Sequence, residues 1–324
     1  MRTFLLFSVL FTLSQSASQT VSYELEVSKQ AWRYSAAAYC VYEDLEKWDC
    51  GRACEETQGM LDVQMVRDAD RDTFAYVGYD NSTGKIVIAF RGTNGAESTN
   101  WITNIKTDFD KYPNWLYPDA GVHSGFYTAY KGIADNLKQA VQRLRDKYDY
   151  PEIMVTGHSM GGALALLGVL DLRTDLSIPP ENITFYTFGQ PRVGGENFRD
   201  YVYFVIGQRY FRVIHEDDMV PHLPSIYFSF RHAGIEVWYT DQQDSEDYKI
   251  CVNYPGRLES HDCSNQYSMP TGVDVHTRYM GVELSEMCKK TQAASAPTYR
   301  ESIMNTAISY TIYIFKKFDS WGLF

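Results

Sequence analysis

The apolar positions of this chain form short continuous runs and helical repeats that alternate through its central part. Ile86–Phe90 is an uninterrupted apolar run, typical of a strand buried on both faces. From Gly125 to Lys147, apolar residues recur every three or four positions, which predicts one long amphipathic helix. Strand and helix alternate from Ile86 to Ile214, so we predict an α/β fold with a mostly parallel central sheet flanked by helices. The predicted strands are Leu61–Val66, Thr73–Asp80, Lys85–Phe90, Glu152–Thr156, Ile183–Phe188 and Tyr210–Ile214, and the predicted helices are Glu24–Tyr39, Ser98–Phe109, Gly125–Lys147 and Glu196–Ile206.

One strand-to-helix junction in this series carries a reactive side chain. Ile153–Gly162 reads as a short apolar strand and a Gly-x-Ser-x-Gly turn, followed by the helix-forming run Ala163–Leu170. So sharp a turn strains its central residue, and glycine is needed at Gly157 and Gly161, where any side chain would collide. The strain raises the Ser159 hydroxyl out of the sheet, and the first amides of the helix point at negative charge developing beside it. The junction predicts a nucleophilic serine.

Composition and charge narrow the class of substrate. The chain has 324 residues, 44% of them hydrophobic, and a formal net charge of −11. It can bury a sizeable core, and no linker forces a division into two domains. Phosphate backbones and anionic lipid surfaces repel so acidic a protein, which argues against nucleic acid and against polybasic membrane docking. A neutral or zwitterionic substrate fits better.

Residues 1–18 have the pattern of a removable secretory signal. Met1–Arg2 is a charged start, Phe4–Phe11 is an apolar run too short to anchor the chain in a bilayer, and Ser16–Ser18 supplies the small residues of a cleavage site. We therefore expect a protein without an integral membrane anchor, secreted from the cell or into the lumen of a digestive or lysosomal compartment. Asn81 and Asn182 begin candidate glycosylation sequons of the same pathway.

The six cysteines are an even number in an apparently secreted chain, where thiols oxidise to disulfides. A metal site is the alternative, but Cys50 and Cys54 have no matching Cys or His pair at zinc spacing. We predict three disulfides.

A serine nucleophile needs a base to take its proton and a carboxylate to hold that base. In this type of sheet the order along the chain is serine, acid, histidine, so only residues after Ser159 qualify. Glu216–Asp218 offers three carboxylates in a loop just past a predicted strand. His222 lies too near that loop and His232 sits in a polar, arginine-flanked run, so the residues alone leave the base open between two histidines, His261 and His276.

Five sequence blocks, in this order, together resemble the class 3 lipases, the fungal-type triacylglycerol lipase family with the α/β-hydrolase fold. The resemblance covers about Glu24 to Cys288, and five blocks in the right order make it very specific. The blocks are Phe90–Thr93, Val122–Phe126, Gly157–Gly162, Phe188–Gly194 and Asp218–Pro224.

The resemblance implies a role for each site residue. Asp218 precedes an apolar-Val-Pro step and would be the acid, and His276 would be the base that acts on Ser159. The amide and hydroxyl of Thr93 and the amide of Met160 would form the oxyanion hole. The cysteine pairs implied by the family are Cys40–Cys288, Cys50–Cys54 and Cys251–Cys263.

The same resemblance implies a lid helix, Ser98–Ile105, whose apolar residues Trp101, Ile102 and Ile105 would cover the site in water and turn outward onto lipid. An ordinary surface helix that packs Trp101 inward is the other interpretation.

The expected protein is a secreted serine lipase that hydrolyses triacylglycerols at an oil–water interface through an acyl-enzyme on Ser159. This chemistry requires no metal and no cofactor. Residues 19–292 would form the lipase domain, and residues 293–324 a helical extension packed on it. The alternatives are a phospholipase, a feruloyl-type esterase that uses the aromatic loop Tyr112–Tyr117, and an inactive lipid-binding relative.

Overall fold

The structure is a computed structural model, and it describes residues 22–93, 105–240, 247–267 and 270–290. Chain contacts separate a unit Met1–Cys288 from the segment Lys289–Phe324, and the helices and strands of the described residues belong to the first unit. The predicted signal (1–18), the predicted extension (293–324) and the lid residues Trp101 and Ile102 lie outside the described residues.

The described elements follow the predicted order with a few additions. The helices are α1 (Leu25–Ala37), α2 (Tyr42–Glu46), α3 (Arg52–Glu55), α4 (Ser124–Lys131), α5 (Ala134–Lys147), α6 (Met160–Thr174), α7 (Glu196–Ile206) and α8 (Leu284–Met287). The strands are β1 (Met60–Asp68), β2 (Thr73–Asp80), β3 (Lys85–Phe90), β4 (Phe109–Lys111), β5 (Gly121–His123), β6 (Ile153–His158), β7 (Ile183–Phe188), β8 (Gly194–Gly195), β9 (Phe211–His215), β10 (Phe230–Arg231), β11 (Ile235–Tyr239), β12 (Tyr248–Val252), β13 (Arg278–Tyr279) and β14 (Val282–Glu283).

The main sheet has eight strands in the order β1-β2-β3-β6-β7-β9-β11-β12. Strands β3, β6, β7, β9 and β11 run parallel to one another, while β1, β2 and β12 pair antiparallel at the edges. This confirms the predicted parallel sheet. Sequence patterning missed β11, where a charged residue, Glu236, is buried beside Arg212 at an N–O distance of 3.2 Å and interrupts an otherwise apolar strand.

Both faces of the sheet are covered, as the apolar run in β3 predicts. Ile86 and Ile88 belong to one buried cluster with residues of α5, α6 and α7, whereas Val87 and Ala89 belong to a second cluster with residues of α1. Alternate side chains of a strand point to opposite faces, so a strand buried on both sides must be apolar throughout. None of the helices in the described ranges is long and apolar enough to cross a bilayer.

The long helix predicted from Gly125 to Lys147 is wrong in one respect, because it is two helices, α4 and α5. The break falls at Gly132, whose amide bonds back to the Ala129 carbonyl at 3.2 Å. A Cβ at Gly132 would lie 2.1 Å from the Asp68 carboxylate of β1, so a side chain there would require the Asp68 side chain to move. The apolar spacing continues across the break, which hides it from periodicity.

The helix predicted over Ser98–Phe109 is also wrong at its end. Ile105 is not helical and packs, half-buried, against the main core, while Phe109 begins β4 and pairs with His123 of β5. Residues 94–104 lie outside the described part of the chain, so the lid stays a prediction there.

Three disulfides join Cys40 to Cys288, Cys50 to Cys54 and Cys251 to Cys263, the pairs that the family resemblance implies. The first closes a span of 248 residues and ties the end of α1 to the end of α8. The segment between α1 and β1 contains the short helices α2 and α3, and the Cys50–Cys54 bond spans the start of α3.

Candidate active site

The turn between β6 and α6 has the strained geometry that the Gly-x-Ser-x-Gly sequence predicts. Ser159 has φ 57° and ψ −131°, a left-handed backbone that a serine adopts only when its surroundings impose it. The Ser159 amide donates to the Phe188 carbonyl at 2.9 Å, and the Gly162 amide donates to the Ser159 carbonyl at 2.9 Å. These two bonds hold the turn against β7 on one side and α6 on the other.

Glycine is required on both sides of this turn. A Cβ at Gly157 would lie 2.4 Å from the Gly161 carbonyl oxygen, and one at Gly161 would lie 2.2 Å from the Phe90 carbonyl oxygen. Both obstacles are backbone atoms that cannot rotate away. The serine is only 4% exposed in this structure.

Asp218 and His276, 58 residues apart in sequence, meet beside this turn. His276 Nδ1 lies 2.8 Å from Asp218 Oδ2, and both side chains are buried. Asp218 also accepts from the Val220 amide at 2.9 Å and from the Tyr279 hydroxyl at 3.0 Å. A carboxylate only accepts hydrogen bonds, so Nδ1 carries the proton and Nε2 presents its lone pair.

The second ring nitrogen of His276, Nε2, is not used in the contact with Asp218. The atom is buried and has no hydrogen-bond partner among the described residues. The His276 ring lies 4.5 Å from the ring of His158, the residue that precedes Ser159, so the histidine lies close to the turn that carries the nucleophile. A base with a free lone pair beside a strained serine can take the serine proton.

Two residues that sequence reasoning missed hold His276 in place. Burial, and next the charge of Asp218, raise the pKa of the Tyr279 hydroxyl well above its usual range, so it stays a donor to Asp218. Gly189 has φ 56°, and a Cβ there would lie 2.6 Å from His276 Cε1 and 2.6 Å from the Tyr279 hydroxyl. Gly189 lies in the Phe188–Gly194 block of the resemblance, but nothing in the sequence ties that block to the histidine.

The predicted oxyanion residues lie at the ends of neighbouring strands. Thr93 follows β3 and Met160 begins α6, and the Thr93 hydroxyl donates to Met160 Sδ at 3.8 Å. A Cβ at Gly92 would lie 2.7 Å from the His158 carbonyl oxygen and 3.0 Å from Ser159 Cβ, so this segment passes directly beside the nucleophile. Amides so placed can stabilise an oxyanion that forms on a substrate bound at Ser159.

A hydrogen-bond chain connects the oxyanion segment to the base. The Gly92 amide donates to the Tyr39 hydroxyl at 3.0 Å, and that hydroxyl lies 2.8 Å from His158 Nδ1. His158 Nε2 lies 2.8 Å from the His276 carbonyl oxygen, which only accepts, so Nε2 donates and Nδ1 accepts from Tyr39. Burial, and next His276, hold the pKa of His158 well below its usual range, which keeps this ring neutral.

We expect Tyr39→Phe to lower kcat on a soluble short-chain ester by about tenfold with little change in KM. The substitution leaves the Gly92 amide and His158 Nδ1 unpaired in a buried place, at a cost of about 1–3 kcal/mol. Steady-state kinetics, with thermal unfolding measured in parallel, checks it. Tyr227→Phe, at an exposed tyrosine, is the matched control. A lower melting temperature with unchanged kcat would show that Tyr39 only supports the fold.

The loop that carries Asp218 is supported by a buried ion pair. Arg192 bonds Glu259 through two contacts of 2.9 and 2.7 Å, and both side chains are buried. Arg192 also donates to the carbonyls of His222 and Pro224, just beyond the acid. Burial raises the pKa of Glu259, but the charge and hydrogen bonds of Arg192, with the contribution of His232, together outweigh it and hold that pKa far below its ordinary 4.5.

This ion pair predicts a pH-dependent effect of Glu259→Gln. A depressed carboxyl pKa gives stability that is present above 4.5 and is lost as the pH falls towards the lower folded value. At pH 7 the variant should lose about 3–5 kcal/mol of unfolding free energy, because it leaves Arg192 buried without its counter-charge. Urea unfolding from neutral pH down to about pH 3 should show the gap to wild type narrowing below 4.5. A gap that is constant with pH would contradict this account.

The other histidines considered from sequence have different surroundings. His261 is exposed and bonds the Asn265 carbonyl at 3.1 Å. His232 is buried and bonds the Pro221 carbonyl at 2.7 Å. Burial, and next Arg192, lower the pKa of His222 to about 4. Of these candidates, the structure brings only His276 to Asp218.

The chain matches a known family and known structures over most of its described length. The profile of the family described as lipase (class 3) matches residues 87–228. A lipase of Rhizomucor miehei is 37% identical over 238 residues, which is 72% of this chain and 62% of that protein. A secreted mono- and diacylglycerol lipase of Fusarium solani is 39% identical over 223 residues, which is 67% of this chain and 64% of that protein. The chain thus spans less than two thirds of the length of these curated relatives.

Solved structures agree over nearly their whole length. A triacylglycerol lipase whose catalytic centre is described as a serine protease triad superposes with a TM-score of 0.74 at 34% identity, covering 83% of this chain and 98% of that one. Lipase II from Rhizopus niveus superposes with a TM-score of 0.71 at 30% identity, covering 81% and 96%. The fold is therefore the α/β-hydrolase fold, and the chain belongs to the class 3 lipase family.

Proposed function

We propose that this protein is a secreted serine lipase that hydrolyses the carboxylic ester bonds of triacylglycerols. The observation that carries the proposal is the Asp218–His276 pair, in which His276 Nε2 has no partner among the described residues. The strained Ser159 bonds Phe188, whose neighbour Gly189 packs against the His276 ring. The similarity to a lipase named as a triacylglycerol lipase supports the substrate class, and the similarity to a secreted mono- and diacylglycerol lipase supports the secretion.

In the first half of the reaction, Ser159 Oγ attacks the ester carbonyl carbon while its proton moves to His276 Nε2. The ring becomes an imidazolium, and Asp218 stabilises its charge across the 2.8 Å contact. The tetrahedral intermediate collapses when the carbon–oxygen bond to the alcohol breaks and Nε2 returns its proton to the leaving alkoxide. A diacylglycerol leaves, and the acyl group stays on Ser159 as an ester.

In the second half, water replaces the alcohol. Nε2 takes a proton from the water as its oxygen attacks the acyl carbon, then returns that proton to Ser159 Oγ as the fatty acid leaves. In both tetrahedral intermediates the oxyanion is stabilised by the Thr93 amide and hydroxyl and by the Met160 amide. Each such donor contributes about 3 kcal/mol to the transition state. The positive end of α6 adds to this stabilisation.

A neutral substrate agrees with the charge of the chain. The formal net charge of −11 repels anionic lipids, whereas a triacylglycerol carries no charge. The lid predicted at Ser98–Ile105 belongs to this proposal, as the element that would uncover the site at an oil–water interface.

The aromatic loop Tyr112–Tyr117 gives no support to a feruloyl-type esterase. Its residues Tyr112–Leu116 line a pocket together with Asp171 and Asp175, at the end of α6. Asp171 lies twelve residues beyond Ser159, which is about 18 Å along a helix. An aromatic acyl group at the reacting ester would not reach this loop.

Initial rates on two substrates test the proposal, with Ser159→Ala as the blank. Tributyrin is followed across its solubility limit, and emulsified triolein is followed alongside. Turnover of triolein, with a rise in tributyrin rate above the solubility limit, is the result expected of a lipase with a mobile lid. Saturation below the limit without triolein turnover would make the protein a soluble esterase, and equal rates in enzyme and blank would exclude hydrolysis at Ser159.

A further inference from the structure

The pocket beside the aromatic loop lies at the far end of α6 from the nucleophile and is also bordered by α4, α5 and α7. Its volume is about 640 Å³, enough for a small organic ligand, and we call it the tyrosine pocket. The residues that carry its chemistry are Tyr112, Tyr127, Tyr201, Asp171, Lys138 and Trp115. None of them belongs to the proposed catalytic or oxyanion set.

Three phenol hydroxyls in this pocket have no hydrogen-bond partner among the described residues. They belong to Tyr112, Tyr127 and Tyr201, whose rings pack together, with the Tyr112 ring 5.7 Å from Tyr127 and 5.5 Å from Tyr201. Tyr112 and Tyr201 are each only 6% exposed. All three tyrosines line the pocket, so their hydroxyls are free to bond a ligand that enters it.

The hydroxyls remain neutral at any physiological pH. Burial, and next the carboxylate of Asp171, raise the pKa of the Tyr112 and Tyr201 hydroxyls above their usual value. A neutral phenol both donates and accepts a hydrogen bond. The pocket therefore offers paired donors and acceptors beside aromatic ring faces.

The charged groups of the pocket are already paired within the chain. Lys138 Nζ lies 2.7 Å from Asp175, 3.4 Å from Asp135 and 3.9 Å from Asp171. Lys131 Nζ lies 4.3 Å from the centre of the Tyr127 ring, so a cation of the chain occupies that face. An external cation would compete with these lysines, and the carboxylates would repel an anion.

The lining also disfavours a hydrocarbon chain. An acyl chain would displace water from the three hydroxyls and the Asp171 carboxylate without offering them hydrogen bonds. Desolvation without a new partner costs free energy for each group. The ligand that suits this lining is neutral and rich in hydroxyls, and it has apolar C–H faces that can lie against aromatic rings. Sugars have all of these features.

The rim of the pocket presents aromatic surface to solvent. Trp115 is 89% exposed and Phe204 is 67% exposed, and both line the opening. Exposed aromatic rings at the mouth of a polar pocket can stack against the C–H face of a second sugar unit.

We propose that the tyrosine pocket is a binding site for neutral carbohydrate, separate from the catalytic site. A site about 18 Å from Ser159 along α6 can hold the protein on a sugar-bearing surface while hydrolysis proceeds elsewhere. This role does not depend on which ester the enzyme cleaves.

Titration of the whole protein with neutral trisaccharides tests the proposal. The probes are maltotriose, cellotriose, laminaritriose and mannotriose, with choline chloride and trigalacturonate as cationic and anionic comparisons. Binding is followed by calorimetry and by the fluorescence change that stacking on exposed Trp115 should produce. Enzymatically deglycosylated protein is run in parallel. A signal that appears only after deglycosylation would mean that glycans of the chain itself occupy the pocket, which supports the same sugar chemistry.

We expect at least one trisaccharide to saturate the protein at millimolar concentration, and Tyr112→Phe and Tyr201→Phe each to weaken it about threefold to tenfold. These variants remove only hydroxyls that lack a partner among the described residues, so the fold should be kept. Tyr227→Phe, outside the pocket, should bind like wild type. Tributyrin hydrolysis should be unchanged in every variant, since the pocket lies far from Ser159. The proposal is overturned if no trisaccharide saturates, if the two variants bind undiminished, or if choline or trigalacturonate binds more tightly.

Discussion

Ser159→Ala is expected to lower kcat/KM for tributyrin by about 10⁴- to 10⁶-fold. The substitution removes the proposed nucleophile, so no acyl-enzyme forms at this turn and the proposed base and acid have no serine proton to move. The oxyanion donors and the substrate site remain, so a small rate above that in water should persist. Active-site titration with a serine-directed phosphonate, next to steady-state rates, measures this effect. A variant that retains more than about one hundredth of wild-type activity would place the nucleophile elsewhere.

Because the backbone at Ser159 is strained, Ser159→Gly is a matched control for Ser159→Ala. Alanine keeps a Cβ and therefore the strain of φ 57°, so Ser159→Ala should unfold at nearly the wild-type denaturant concentration. Glycine has no such strain, and Ser159→Gly should be more stable than Ser159→Ala by about 1 kcal/mol, although glycine also gains entropy in the unfolded chain. Both variants should be equally inactive. This result would separate the loss of the nucleophile from any loss of fold.

Asp218→Asn should lower kcat by about 10⁴-fold while leaving KM nearly unchanged. An asparagine amide that donates to His276 Nδ1 moves the ring proton to Nε2, which then has no lone pair for the serine proton. The variant also loses the charge that stabilises the imidazolium. Rates on a soluble ester over a range of pH measure the effect.

Asp217→Asn is the matched control for that prediction. Asp217 is the neighbouring carboxylate, and its side chain accepts from the Thr271 amide and hydroxyl at 3.3 Å each, away from His276. Asp217→Asn should keep kcat within about twofold of wild type, because a surface substitution away from the site changes little. A large loss in Asp217→Asn together with a small one in Asp218→Asn would exchange the roles of the two residues.

Local sequence patterns predicted the turn that carries Ser159 and most strands of the main sheet. The collision at Gly157 involves Gly161 of the same motif, so the motif contains that part of the steric argument, whereas the collision at Gly161 involves Phe90 at the end of the adjacent β3. Strands buried on both faces must be apolar throughout, which makes β3 and β6 visible as runs. The break at Gly132 was invisible, because the apolar spacing continues across it.

The base could not be chosen from local pattern. His261 and His276 are equally placed in sequence order, and the family resemblance favoured His276 where composition and spacing did not. The structure separates them by position, since His261 is exposed while His276 is buried against Asp218. The sequence predicted no role for Tyr39, Tyr279 or Gly189, because each acts through a contact with a residue distant in sequence.

By itself, the sequence determined that the central sheet is mostly parallel and that a strand-to-helix turn carries Ser159. Both can be read from apolar runs and from the Gly-x-Ser-x-Gly motif, which extend over a few neighbouring residues. Only the tertiary structure decided which histidine meets Asp218, which tyrosines position the site, and that three uncommitted tyrosine hydroxyls share one pocket. These are contacts between chain segments tens to hundreds of residues apart. The packing of helices on the sheet sets these contacts, and no local pattern of residues encodes that packing.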